Sequence, residues 1–173
     1  MRKILLFLML TVTLTVNAQE YLFKGIKSGM SESQYTAFLD TQESFDWYKE
    51  AVYFCKIENR LYLVLPIFNK YDKLWGLSIS CSENFEWFDY DPNCIKIMEE
   101  LYTLLKTKYG EPDYNKKKSW SDIPKNGNVI IVEWKYGTLD IGINASETNE
   151  KYNVWVSIID NNFYIEEKTT GGF

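Results

Sequence analysis

The stretch Asp91–Pro112, DPNCIKIMEELYTLLKTKYGEP, constrains this chain more than any other, because both its limits are written into the sequence. Asp91 offers a carboxylate to the unpaired N–H groups of a first helical turn, and its charge suits the positive end of the helix dipole. Pro92 follows at the first helical position, where a missing N–H costs nothing. Apolar side chains recur at Cys94, Ile97, Met98, Leu101, Leu104 and Leu105, the spacing of one buried helical stripe. Lys96, Glu99, Glu100, Thr103 and Lys106 fall largely on the other side. Tyr90 and Ile95 stand in the relation of a hydrophobic staple. Gly110 supplies the left-handed residue that closes a helix, and Pro112 stops it resuming. The spacing predicts a helix over 92–109. The strand-like, aromatic-rich sequence on both sides predicts a sheet for it to cover.

Upstream, Glu20–Lys24 reads as a short edge strand. Ser31 and Gln34 have the spacing of a capping box, and Met30 and Tyr35 that of a staple. A short helix is expected from there to Asp40, burying Tyr35, Phe38 and Leu39. From Trp47 to Cys81 the residues favour strands. AVYFCKIE and LYLVLPIF flank Asn59-Arg60 as a hairpin loop, and Asn69–Lys73 turns into LWGLSISC. Pro66 has no ladder N–H and belongs at a strand edge or a bulge. Beyond the long helix, Lys116-Lys117-Lys118 reads as a solvated basic loop. Three more strands follow at Val129–Tyr136, Leu139–Ala145 and Tyr152–Asp160. Leu139, Ile141 and Ile143 alternate with Asp140, Gly142 and Asn144, as in a sheet with one wet face. The expected fold class is α+β: an antiparallel sheet of about six strands in two three-stranded meanders, with two helices packed on one face, in the order α-βββ-α-βββ.

The N-terminal residues stand apart from that fold. Arg2 and Lys3 precede an apolar run, Ile4–Val16, and a small-residue cleavage site, Val16-Asn17-Ala18. This is the layout of a secretory signal peptide over residues 1–18. The run is short and threonine-rich for a membrane anchor. No cysteine follows the cleavage point, so a lipoprotein is not expected. The remainder divides into a single domain over 19–160 and a polar C-terminal tail over 161–173. The expected location is periplasmic or secreted, without membrane insertion after signal removal. A net charge of −5 argues against nucleic acid and anionic membrane as partners. The sequence contains no histidine, which removes Ser-His-Asp and Cys-His nucleophiles and every histidine metal site.

The three cysteines, Cys55, Cys81 and Cys94, permit at most one intramolecular disulfide. With Asn59-Arg60 as the loop, Cys55 pairs with Val64. With Phe68 facing Leu74, Cys81 comes opposite Leu61. Cys55 and Cys81 then point to opposite sides of the sheet, which disfavours a bridge between them. Free buried thiols are the expected state, with Cys81 and Cys94, a strand end and a helix start, as the possible disulfide.

The candidate ligand-binding residues lie in SENFEWFDYD, where Phe85, Trp87, Phe88 and Tyr90 interleave with Glu86 and Asp89. Aromatic rings beside carboxylates can hold a sugar, a cationic ligand or a protein partner; the alternative is that some of these rings seal the end of the core. Trp47 and Tyr48, beside Asp46 and Glu50, form a second candidate. Asp89, Asp91, Asn93 and Glu100 match calcium-loop spacing, but Cys94 stands where that loop needs glycine, and a helix from Pro92 carries Glu100 away. No metal or cofactor is expected. Two carboxylates suffice for a glycosidase, but no local pattern selects a pair. Asn144-Ala145-Ser146 fits the glycosylation pattern.

The run Gly29-Met30-Ser31-x-x-Gln34, placed after a signal peptide, resembles the start of the first helix in small secreted bacterial α+β domains of the BamE and beta-lactamase-inhibitor-protein group. The resemblance implies a non-catalytic envelope protein that binds other proteins, and carries over no functional residue. The functional expectation is an exported, non-catalytic binding or protein-interaction domain of the bacterial cell envelope. The alternatives are a small carboxylate-based hydrolase of envelope glycans and an inhibitor or immunity partner of an exported enzyme. N-terminal sequencing of the protein recovered from outside the cytoplasm is expected to begin at Gln19. Recovery with Met1 intact, in the cytoplasmic fraction alone, refutes the export signal.

Overall fold

The computed structural model describes residues 21–86, 90–116 and 120–164; the expected signal peptide and most of the expected tail lie outside them. Strands β1 (Tyr21–Phe23) and β2 (Ile26–Lys27) make a small hairpin before helix α1 (Glu32–Leu39). Next come β3 (Phe45–Lys49), β4 (Val52–Ile57), β5 (Arg60–Phe68), β6 (Leu74–Cys81) and the two-residue β7 (Phe85–Glu86). One turn of π-helix, Tyr90–Cys94, leads into α2 (Ile95–Tyr109). After β8 (Tyr114–Asn115) and a 3-10 turn (Trp120–Asp122), the chain ends in β9 (Asn128–Tyr136), β10 (Leu139–Thr148) and β11 (Lys151–Asp160).

The expected six strands in two meanders are corrected by the pairing. Nine strands form one connected sheet in the order β3-β4-β5-β6-β11-β10-β9-β8, with β7 continuing beside β11. The joint is the antiparallel ladder of β6 on β11, which sets Ile79 opposite Val156 and Leu77 opposite Ile158. Left separate, each meander would present an apolar strand with an open row of backbone donors and acceptors, and pairing removes both edges at once. The additional strands β3, β7 and β8 escape sequence reading because they are short. β3 is split from β4 by a turn at Glu50, whose φ is +48°.

Both helices lie on one face of this sheet, as the α+β reading requires. In α1 the capping box is formed: Gln34 N donates to Ser31 Oγ (3.3 Å) and Ser31 N to Gln34 Oε1 (3.0 Å). Its Tyr35 packs edge-on against Tyr53 and Phe68, at 6.0 and 5.9 Å between ring centres. In α2, Ile97, Met98, Leu101 and Leu105 are buried, while Leu104 of the predicted stripe is exposed. Trp134 Nε1 donates to Gly110 O at 2.9 Å, fastening the end of α2 to β9. The start of α2 differs from expectation. Instead of an α-helix from Pro92 capped by Asp91, the chain winds through the wider π turn, and regular α-helix begins at Ile95.

Two register shifts decide where the cysteines go. The β4–β5 loop is Glu58-Asn59, not Asn59-Arg60: Ile57 pairs with Arg60, and Cys55 with Tyr62. Then a bulge between Ile67 and Phe68 moves β6 by one residue, so Cys81 faces Tyr62. Cys55, Tyr62 and Cys81 therefore stand in one row on one face, contrary to the opposite-face expectation. The two thiols are still two strands apart, about 10 Å, which is outside disulfide reach. The possible Cys81–Cys94 bridge is not formed either: all three cysteines are buried and none is in a disulfide. The chain turns into β7 after Cys81, so the two are not joined by a single short loop. Pro66 fits its constraint twice over: β4 pairs no further along β5 than Val64, and the bulge begins one residue later.

Tyr35 is fully buried with no partner for its hydroxyl. Burial, then the neighbouring Tyr53, pushes its ionisation far above the ordinary phenol range. Tyr53 is pushed up to about 12, by burial first and then by its hydrogen bond to Asp40. A raised folded pKa favours the neutral phenol, so this stability is fully present below the unfolded value and is lost as pH climbs through the folded one. Tyr35→Phe removes an unsatisfied buried hydroxyl and is expected to stabilise the protein by about 1 kcal/mol in urea unfolding. It is also expected to move alkaline unfolding to higher pH. A lower urea midpoint contradicts this account.

Candidate functional site

Of the sequence-predicted patch, the side chains of Phe85 and Glu86 are described, and they stand on opposite faces of the sheet. Phe85 is buried opposite Tyr152, on the helix-covered face. Glu86 pairs with Lys151, carboxylate to ammonium at 2.6 Å, on the other face. Trp87, Phe88 and Asp89 lie outside the described residues, and Tyr90 opens the π turn. Of the second candidate, Trp47 is exposed on the sheet's edge strand, its indole N–H donating to Glu50 O at 3.1 Å. Glu100, of the calcium-like spacing, is held by Arg60 at 3.2 Å. Asn144 is no glycosylation acceptor: it is 4% exposed, and its amide donates to Gly142 O and Ser157 Oγ, each at 3.1 Å.

Two carboxylates are buried among the described residues, Glu147 and Asp160. Glu147 accepts the backbone N–H groups of Asn126 and Glu150, pinning two turns together. Asp160 accepts from the Thr138 hydroxyl (2.8 Å) and Asn162 N (3.0 Å). Glu147 pairs across from Tyr152 and Asp160 across from Leu139, eight residues apart on β10. At the rise of a strand that is about 26 Å. A glycosidase pair needs a separation of about 5–9.5 Å, so these two acids cannot act together.

What the register does assemble is a cleft on the face away from the helices. Adjacent strands set Leu63, Ser80, Trp155 and Asn144 in one row. A second row reads Leu65, Ser78, Ser157 and Gly142. Small side chains keep the middle of this face low. A Cβ at Gly142 would meet Ser157 Oγ at 3.0 Å, so even alanine is crowded there. The resulting cleft has a volume of about 690 Å³, with Leu63, Leu65, Ser78, Ser80, Ser146 and Trp155 in its lining. Asn153 builds one wall. Its amide N–H groups reach Cys81 O (3.0 Å), Glu83 O (2.9 Å) and Asn84 Oδ1 (3.1 Å), while Ser80 Oγ donates to its carbonyl at 2.8 Å. This one side chain thus spans the gap where the chain leaves β6 and resumes as β7.

The electrostatics of the cleft are mild. Lys151 is its one charged lining side chain among the described residues, and Glu86 neutralises it. Cys81 borders the cleft, but its side chain stands on the opposite, helix-covered face, where burial pushes the thiol pKa up. Among the described residues, the side chains of Ser78, Ser146 and Trp155 make no hydrogen bond within the protein. Sequence reasoning missed this site because its residues come from four strands, and only the register brings them together. A faint signal existed in the alternation of Ser78 with Ser80 and of Asn153 with Trp155 and Ser157. A smaller apolar groove of about 250 Å³ lies between α2 and β9, bounded by Met98, Tyr102 and Ile131.

No family model, curated protein or solved structure matches the chain. No helix of the described residues is long and apolar enough to cross a membrane. Asn153→Ala is expected to cost about 1 kcal/mol, because it removes four hydrogen bonds from a partly exposed junction. It is also expected to speed amide exchange at Ser82–Asn84. Unchanged stability and exchange would remove Asn153 from its structural role.

Proposed function

We propose that this protein is an exported, non-catalytic binding module whose binding surface is the open face of its sheet. The observation that carries the reading is one-sided covering among the described residues. Both helices seal one face, while the other holds a concave site with an aromatic ring, aliphatic side chains and free hydroxyls, the composition of ligand sites in general. The signal peptide and the resemblance to the BamE and beta-lactamase-inhibitor-protein group point the same way. The hydrolase reading is less favoured, since the buried carboxylates serve turns at opposite ends of one hairpin. An inhibitor or immunity partner remains one form of the binding reading.

Ser78→Arg places a long cation on the cleft floor without touching the helix-covered core. Tagged full-length protein and this variant are incubated with envelope extract and culture supernatant, and the retained protein and carbohydrate are compared. The parent is expected to retain a component that the variant loses by at least about tenfold, equivalent to about 1.4 kcal/mol, at equal thermal stability. Equal retention by both, or turnover of an envelope glycan by the parent, overturns the reading.

A further inference from the structure

We infer that the cleft binds a neutral carbohydrate chain, laid against Trp155 and hydrogen-bonded by Ser78 and Ser146. This rests on the open face being the binding surface, and adds the chemistry of the ligand.

Charge comes first. The sequence carries 24 acidic and 19 basic residues, yet among the described residues the cleft's lining includes a single charged side chain, Lys151, held by Glu86 at 2.6 Å. Among the described lining residues a phosphate or an acidic peptide finds no unpaired cation, and a cationic ligand finds no free carboxylate. A neutral ligand gives up nothing on entering. Desolvating a charge without a partner, by contrast, is strongly unfavourable.

The hydrogen-bonding groups narrow the class. Ser78 and Ser146 present hydroxyls that both donate and accept, and Trp155 adds an indole donor, all without partners among the described residues. Sugar hydroxyls are likewise donors and acceptors, while the C–H face of a pyranose is apolar and stacks on an aromatic ring. Trp155 suits that role. Its register neighbours are the small Ser80 and Asn144, and it takes part in no aromatic ring contact among the described residues. Leu63 and Leu65 continue the apolar surface along β5. The lining runs over four strands, β5, β6, β11 and β10, about 14 Å across, enough for more than one sugar ring.

An extended peptide is the weaker fit. Peptides that join sheets do so at edges, through unpaired backbone groups. Here the floor strands β6, β11 and β10 each have neighbours on both sides, so their backbone groups are already engaged.

The test is calorimetric titration of the full chain with neutral hexasaccharides of β-linked glucose, xylose, mannose and N-acetylglucosamine. The variants are Trp155→Ala, Trp155→Phe and the double change Ser78→Ala with Ser146→Ala. At least one sugar is expected to bind. Trp155→Ala is expected to weaken that binding by at least about tenfold, at an unchanged melting temperature, through loss of the stacking surface. Trp155→Phe should retain most of the affinity, and the double serine variant should lose a few-fold. Binding that is indifferent to Trp155→Ala, or no binding by any of the four sugars, overturns the inference. If no sugar binds but Ser78→Arg still abolishes retention of an envelope protein, the carbohydrate assignment fails and the open face stands. If Ser78→Arg abolishes nothing, the open face fails as well.

Discussion

Where β6 lies against β11, Leu77 meets Ile158 and Ile79 meets Val156, and the core of the first meander runs without a break into that of the second. Burying four such side chains is worth roughly 6–12 kcal/mol, comparable with the whole net stability of a domain. The helices depend on this joint. α1 rests on the first meander through Tyr53 and Phe68. α2 spans both, with Glu100 held by Arg60 of β5 and Tyr102 beside Trp134 of β9. If the two meanders parted, α2 would lose its support on one side or the other.

The same joint creates the open face. The fusion sets β6 beside β11, so the outward residues of the β5–β6 hairpin and of the β10–β11 hairpin form a single surface. Serine, asparagine and glycine at the centre of that surface would be a poor choice for a buried core, since they bring little apolar area. They suit a floor that must stay low beside one tall tryptophan. Asn153 shows how the fold tolerates an interruption at the cleft wall, since a side-chain amide there replaces the backbone pairing lost between β6 and β7.

The helices, the six long strands and the α+β class were legible because each rests on local chemistry: the Ser31–Gln34 capping box, the stripe from Ile97 to Leu105, the alternation of Leu139, Ile141 and Ile143. Pairing between distant strands was not legible. No local pattern says that β6 should choose β11. A single bulge at Ile67–Phe68 turned Cys81 to the face that a regular ladder denies it. The aromatic run after Ser82 drew attention for its composition, yet Phe85 belongs to the core. Ser78 and Trp155, dispersed along the chain and individually ordinary, gave no comparable signal.

The row formed by Cys55, Tyr62 and Cys81 bears on how such a chain meets an oxidant while it folds. Until β4, β5 and β6 close, any two of the three sulfhydryls are open to being joined by an oxidant, and each wrong crosslink would lock the chain outside its fold. After closure the phenol ring of Tyr62 stands between two of them as a fixed spacer. The hydrophobic surroundings also keep those sulfurs protonated and therefore sluggish toward exchange. The contacts of this hairpin pair are close in sequence, and contacts of that kind close early, which shortens the time the thiols stand open.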